Sequence, residues 1–505
     1  MSIPRLSQGL VGGAIAALTF TVGTGVFAPL VAGANNPQTG NLSTSARATT
    51  CLPTMTPAPT PNPTVSFADA DGIHVEGITQ FDARDYNVEV CTAALGRSVN
   101  VRILLPSTYK PTGTTRYPVL YLYAGTGGLA SDWVKGGNAE ATTAGRPLIT
   151  VMPDIDFNGD GGGWFTNWVD PTTALGPSKW ETFHVGQLIP WIDANLRTVA
   201  TRNGRAVAGL SQGGFGSFTY AARHPDMFVS AAAFSGAPDI DYNPVVAAGA
   251  TAVIDYIALA DDGVNPDALF GSRVTDELNW QGHDPADLAT NLRGLSMSLF
   301  TATGVNGPLD PPGINPGGSG IESATHMSTM SFYQRLESLG IPSYLDDYVF
   351  GTHTFPYWAR DFAQYIGPLM QTFAHPPRLP ASTNYESIDP SWTQWGWTVS
   401  MNRPQPAFSS LIDAGAAGFT LWGTGFATVT TPAVYAPGST ATVTYSGPNG
   451  TGRFTETADS AGSLHLLPIP VGTPSLLGGP SLPARASITI AGIPRRNSHP
   501  KHPNR

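Results

Sequence analysis

Residues 205–216 read Arg-Ala-Val-Ala-Gly-Leu-Ser-Gln-Gly-Gly-Phe-Gly, and this stretch decides the fold. Ala206 to Ala208 form an apolar run, expected to be a buried strand. Gly209-Leu210-Ser211-Gln212-Gly213 follows as a G-x-S-x-G pentapeptide. A helix-like stretch then runs to Arg223-His224-Pro225. Strand, sharp turn and helix in that order set a serine on a strained turn with its hydroxyl exposed. Gly209 and Gly213, two before and two after it, let strand and helix cross closely. The bland alternative is a glycine-rich turn that contains a serine, and the flanking strand and helix argue against it.

A serine hydroxyl is a weak nucleophile until a base takes its proton, and that base needs an orienting carboxylate. Both are expected later in the chain, acid before histidine. His353 is best placed to be the base. It lies in Val349-Phe350-Gly351-Thr352-His353-Thr354-Phe355, after the last expected strand and before a helix beginning near Pro356. His224 and His283 read as helix-end and helix-entry residues, and His326 is a weaker rival. His375 and His465 lie at or beyond the domain border. The acid stays open among Glu322, Asp310, Asp346 and Asp347. The usual position follows the strand Met297 to Thr301, but Ala302-Thr303-Gly304-Val305-Asn306 offers no carboxylate there. Asp310 comes late among prolines, so substituting it is expected to change little. Glu322 opens a helical stretch, where a solvated first-turn residue is the ordinary reading.

Around this centre, residues 72–375 alternate strands and helices. Strands are expected at 99–105, 119–123, 148–152, 206–209, 297–301 and 344–349. Trp180, Phe183, Leu188, Trp191, Ile192 and Leu196 recur at helical spacing. The alternation implies a mostly parallel sheet covered on both faces. Residues 376–389 read as a linker opened by Pro376-Pro377-Arg378-Leu379-Pro380. Residues 390–491 hold short alternating segments separated by turn residues. Examples are Gly396–Ser400, Phe419–Trp422 and Ala441–Tyr445, and the pattern suggests an accessory β-sandwich. Residues 492–505 are expected to be an unstructured tail.

The chain has 505 residues, enough for one large core and more. Net charge is −10, and the only basic block is the short C-terminal tail, which argues against nucleic acid as a partner. Residues 1–34 read as a signal peptide: Arg5, an apolar stretch from Leu10, then Ala32-Gly33-Ala34 as a small-x-small cleavage site. The stretch is also long enough for an uncleaved anchor. Either way the body is exported. Residues 35–71 read as a flexible N-terminal arm rich in Ser, Thr and Pro. Cys51 and Cys91, the only cysteines, pair in an oxidising compartment or stay as two thiols. Asp156-Phe157-Asn158-Gly159-Asp160-Gly161 matches half of a calcium loop, but Asn167 stands where such a loop needs a bidentate glutamate. It reads as a glycine-rich loop at the site rim, with no metal and no cofactor expected. Val245 to Ala260 is an apolar helix-like run, either a lid or acyl-chain wall or peripheral packing.

Over roughly residues 85–370 the chain resembles the antigen 85 mycolyltransferases, within the esterase D-like branch of the α/β-hydrolases. The resemblance rests on Ala94-Leu95-Gly96-Arg97-Ser98-Val99, Asn167-Trp168, Ser178-Lys179-Trp180-Glu181-Thr182-Phe183, Gly209-Leu210-Ser211, His283-Asp284-Pro285 and Gly351-Thr352-His353. It implies an α/β-hydrolase fold and a Ser-His-Glu triad. The family's acid lies about thirty residues before the histidine, which picks out Glu322. Gln212 and Gly213 depart from the family's usual Met-Ala. The family's charged oxyanion loop is replaced by Ala124-Gly125-Thr126-Gly127-Gly128, so the charged contacts to trehalose are missing. Backbone N–H groups of Thr126 and Gln212 still fit an oxyanion hole by position. The expected protein is a secreted or envelope-associated serine acyltransferase or esterase. Its expected partners are an acyl-ester lipid or glycolipid and a cell-wall sugar acceptor. A generic carboxylesterase and a non-catalytic surface-binding protein are the alternatives.

Overall fold

Apolar side chains alternate between two cores along each central strand, because successive residues point to opposite faces of a sheet. In β4 (Val119–Tyr123), Val119, Tyr121 and Tyr123 face one core while Leu120 and Leu122 face the other. β5 (Ile149–Pro153), β6 (Arg205–Leu210), β7 (Ser230–Phe234), β8 (Ser296–Thr301) and β9 (Tyr344–Asp347) complete the parallel part. An antiparallel meander of β1 (Ile73–Gln80), β2 (Asp85–Thr92) and β3 (Arg97–Leu104) joins it through β5. The nine strands run in the order β1-β2-β3-β5-β4-β6-β7-β8-β9. The computed structural model describes residues 59–157, 159–473 and 482–493. The expected signal peptide, Cys51, most of the arm and the tail from residue 494 lie outside the described residues.

Helices cover both faces, as a parallel sheet requires. After β4 come α1 (Asp132–Lys135) and α2 (Ala139–Thr143), and α3 (Ile189–Asn195) precedes β6. α4 (Gln212–Arg223) joins β6 to β7, and α5 (Pro244–Ala260), α6 (Asp267–Phe270) and α7 (Glu277–Gln281) fill the path from β7 to β8. α8 (Pro316–Ser338) leads to β9, and α9 (Phe355–Ala374) follows it. Phe215 and Phe218 of α4 and Phe332 of α8 enter one core; Phe362, Ile366 and Leu369 of α9 enter the other. The helix expected over 180–196 differs in one respect: Thr182–Leu188 is wound as a π-helix before α3 begins. Pro190 supplies a reason. It has no N–H to give, and its ring would press on the carbonyl four residues back in a regular α-turn.

The remaining strands form two antiparallel sheets. One contains β10 (Thr383–Ser387), β13 (Ser409–Gly415), β14 (Gly418–Gly423), β19 (Ala484–Ala491), β16 (Thr440–Gly447) and β17 (Gly450–Thr457), in that order. The other contains β11 (Ser391–Gln394), β12 (Trp397–Asn402), β15 (Gly425–Thr430) and β18 (His465–Val471). Val399, Leu411, Leu421, Val429, Val443, Leu466 and Ile488 fill the space between them. The chain is thus an α/β-hydrolase sheet followed by a β-sandwich. β10 lies inside the stretch read as a linker. Its register against β13 and the hydrogen bonds between Glu386 and Asn291, 2.9 Å each way, account for its order.

Candidate active site

The serine turn is built by close packing of backbone. Ser211 has φ 51° and ψ −124°, a conformation costing about 1–3 kcal/mol for a residue with a Cβ. Its N–H donates to Phe234 O at 3.0 Å, pinning the turn to the end of β7. A Cβ on Gly213 would sit 2.2 Å from Ala124 O, so the helix could not start here with any larger residue. A Cβ on Gly125 would lie 2.9 Å from Ser211 Cβ, so that glycine lets the β4 loop reach the serine. Ser211 is half-buried at the N-terminus of α4.

Glu322 and His353 meet directly. Glu322 Oε2 accepts from His353 Nδ1 at 2.8 Å. Glu322 is fully buried, and its other oxygen accepts from Ser235 Oγ and Ala302 N, both at 2.9 Å. The carboxylate therefore has three donors, and the desolvation cost of burying it is met by hydrogen bonds. Glu322 lies in the second turn of α8 rather than at its opening. From there it reaches the end of β8, where the sequence offers no acid of its own, and Ala302 presents its N–H instead. Ser211 and Glu322 are tied to neighbouring residues: Ser211 N–H bonds Phe234 O, and Ser235 Oγ bonds Glu322.

The His353 loop is clamped on its far side. His353 N–H donates to Gly318 O at 3.1 Å, and its ring meets Trp358 edge to face at 4.8 Å. Thr352 Oγ1 donates to Asp310 Oδ1; Tyr357 OH and Gly307 N donate to Asp310 Oδ2 at 2.9 and 2.7 Å. Asp310 does not approach His353 as an acid, but it holds the residue before it. Asp346 pairs with Arg360, and Asp347 Oδ1 accepts from Val349 N. His224 pairs with Glu181, His283 Nδ1 bonds Asn279 O, and His326 Nδ1 lies 3.5 Å from Thr301 Oγ1.

Two loops frame the serine, and the Gln212 side chain joins them. Its Nε2 donates to Thr126 Oγ1 and to Gly161 O, each at 3.0 Å, and its Oε1 accepts from Trp164 N at 3.3 Å. The backbone N–H of Gln212 is the first of α4, where a helix has no internal acceptor for it. Thr126 is exposed at the tip of the β4 loop. The half-calcium loop spends its carboxylates on backbone: Asp156 accepts from Gly159 N, Asp160 from Phe157 N, and Asp262 from Gly161 N, each at 2.8 Å. Burial pushes the Asp160 carboxyl up to about 6 and Asp262 up to about 7, and raises Asp156 well above the carboxylate range. Asn158 lies outside the described residues; among those described, no group of three His, Cys, Asp or Glu is arranged to hold a metal. Cys91 is disulfide-bonded, and Cys51 is the chain's other cysteine.

Sequence reasoning missed Ser235 and the Gln212 side chain. Ser235 gave no signal in the sequence, because it follows Ser230–Phe234, an alanine-rich run of weak strand propensity beside β6.

A family model described as "Putative esterase" matches residues 92–368. The chain belongs to this esterase family. It is 34% identical over 284 residues to an esterase of Mycobacterium tuberculosis, a match covering 55% of this chain and 58% of that protein. It is 26% identical over 299 residues to the diacylglycerol acyltransferase/mycolyltransferase Ag85B of Mycobacterium leprae, covering 58% of this chain and 85% of that one. Among solved structures it is similar to MPT51 of M. tuberculosis, with 24% identity, a TM-score of 0.46, and coverage of 58% of this chain and all of that one. The chain thus spans under two thirds of the M. tuberculosis esterase, while the resemblance to the antigen 85 group stands on named relatives.

Proposed function

We propose that this chain is an exported serine esterase or acyltransferase acting on acyl-ester lipids or glycolipids. Ser211 Oγ attacks the ester carbonyl, and His353 Nε2 takes its proton. Glu322 holds the imidazole through Nδ1 and stabilises the imidazolium as it forms. The N–H groups of Gln212 and Thr126 receive the negative charge that develops on the carbonyl oxygen. The alcohol leaves with the proton from His353, and an acyl-Ser211 remains. A sugar hydroxyl or a water, deprotonated by His353, then takes the acyl group and frees the serine. The observation that carries this reading is the buried Glu322–His353 pair, tied through Ser235 to the strand end that pins Ser211. The apolar N-terminal segment and the disulfide at Cys91 support export and envelope association. A fluorophosphonate probe should label Ser211, and Ser211→Ala should abolish labelling while the chain stays folded. Labelling that persists at another serine overturns the assignment.

The acceptor follows from the β4 loop. Ala124 to Gly128 carry no charged side chain, so a disaccharide loses charge-assisted contacts worth about 1.5–3 kcal/mol each. With an activated acyl ester, free acid should outweigh acyl-trehalose at low millimolar trehalose. Near-complete capture by trehalose would instead favour a dedicated mycolyltransferase.

A further inference from the structure

A surface helix normally turns charged side chains to water. α5 does not. Its 17 residues contain one charged side chain, Asp255, and its solvent face is Val245, Ala248, Gly249, Ala252, Val253, Tyr256 and Leu259. Val245 is 74% exposed, Tyr256 57% and Leu259 62%. α5 packs against α8. From Pro316 to Met330 the only carboxylate of α8 is Glu322, which is buried, and Ile321 and Met327 are about half exposed. Along these two stretches the half-buried Asp255 is the one acid that reaches water and there is no Lys or Arg, in a chain of net charge −10.

Both helices approach the proposed site on their buried sides. Ile321 immediately precedes Glu322. Ile257 of α5 packs on Gly161, whose carbonyl accepts from Gln212 Nε2, the residue after Ser211. The buried side of α5 therefore reaches the loop that Gln212 holds beside the serine turn. A protein partner is selected by hydrogen bonds and a polar rim, and this face provides few such groups. An anionic surface is disfavoured by the net charge. A neutral acyl surface needs only apolar contact, with an aromatic such as Tyr256 suited to its boundary. No helix among the described residues is long and apolar enough to cross a membrane, so the helices would lie on the surface rather than span it.

We propose that α5 and the first half of α8 dock onto the neutral surface of an acyl-lipid aggregate, so that the ester is drawn from the interface into the Ser211 site. The proposal rests on the acyl-ester reading above for the second half of that statement only. The test uses the full chain and the variant Val253→Glu/Leu259→Glu, with Tyr256→Ser as a milder second variant. Because all three side chains are exposed, thermal unfolding should match the parent.

Two measurements are needed: co-flotation with phosphatidylcholine vesicles, and turnover of a soluble butyrate ester against an emulsified long-chain ester. The double variant should keep soluble-ester turnover within about twofold. It should lose at least about tenfold in both flotation and emulsion turnover, with Tyr256→Ser in between. Equal flotation and emulsion turnover in parent and double variant overturns the proposal. So does a parent that sediments as a dimer and becomes a monomer on substitution, which would make the face a contact between two copies. Flotation needs no catalysis, so Ser211→Ala should still float. If Ser211→Ala keeps soluble-ester turnover, the serine reading fails while flotation still judges the docking face.

Discussion

Asp310 and Glu322 both touch the His353 loop, and their geometry ranks them. Glu322 holds the ring nitrogen itself, so Glu322→Gln leaves the imidazole in the wrong tautomer with its charge unsupported. On the proposed mechanism turnover should fall by about 10⁴-fold, the scale for a triad carboxylate, with little change in KM. Asp310 was expected to be dispensable from its place among prolines. Its two oxygens accept from Thr352, Tyr357 and Gly307, which argues for a positioning role instead. Asp310→Asn puts an NH₂ where one oxygen had accepted, so at least one donor loses its partner. A loosened His353 should cost about 10- to 100-fold in kcat, consistent with the price of small displacements in a catalytic group. Steady-state kinetics of both variants checks the ranking; an Asp310→Asn effect equal to that of Glu322→Gln would mean Asp310 shares the acid's role.

At the scale of elements, what could be read in the sequence was what local chemistry encodes. The serine turn was legible because only small residues survive at Gly209 and Gly213, and β4, β6 and β8 because they are short apolar runs. β7 was not. Ser230-Ala231-Ala232-Ala233-Phe234 has weak strand propensity and is a strand because parallel neighbours pair with it on both sides. The route of Glu322 to the end of β8 is a tertiary fact that no spacing in the chain contains. The loop 156–164 was legible as glycine-rich, but not its buried carboxyls, since Asp262 arrives from the end of α5. Those carboxyls make a pH prediction. Asp262 rises to about 7 in the folded state from about 3.9 in an unfolded chain, chiefly through burial and then Asp160. A raised acid binds its proton more tightly when folded. Its contribution is therefore complete below about pH 4 and is lost as pH rises through about 7. Asp262→Asn keeps the oxygen that accepts from Gly161 N–H and removes the titration. Its unfolding midpoint should exceed the parent's at pH 8, and the gap should close toward pH 4. A constant gap across that range refutes the assignment.

The two described parts of the molecule are joined at the far end of α4, the helix that opens after Ser211. α4 begins at Gln212, after Ser211, and ends at Arg223, whose carbonyl accepts from Tyr385 OH at 2.7 Å and Gln394 Nε2 at 2.9 Å of the sandwich. The Arg223 guanidinium pairs with Glu181 at 2.8 Å and with Asp389 at 3.1 Å, and His224 shares Glu181. Arg223 and Glu181 are nearly buried, and their mutual attraction holds Glu181 well below the usual carboxylate range. Removing one partner leaves the other charge buried and alone, so Arg223→Met should cost about 3–5 kcal/mol of stability. Replacing both with apolar residues, Arg223→Met with Glu181→Leu, should restore part of that loss, because no orphan charge remains. The coupling between the two changes should exceed about 1 kcal/mol in a double-mutant cycle. Because α4 carries Ser211 at its other end, the single variant should also lose esterase turnover before it unfolds globally. Tyr385→Phe, which removes one hydrogen bond between the sandwich and α4, should weaken the junction by only about 1 kcal/mol. Chemical denaturation read by tryptophan fluorescence, alongside turnover of a soluble ester, separates these outcomes. Additive effects of the Arg223 and Glu181 changes would mean that their buried charge pair is incidental to the end of α4.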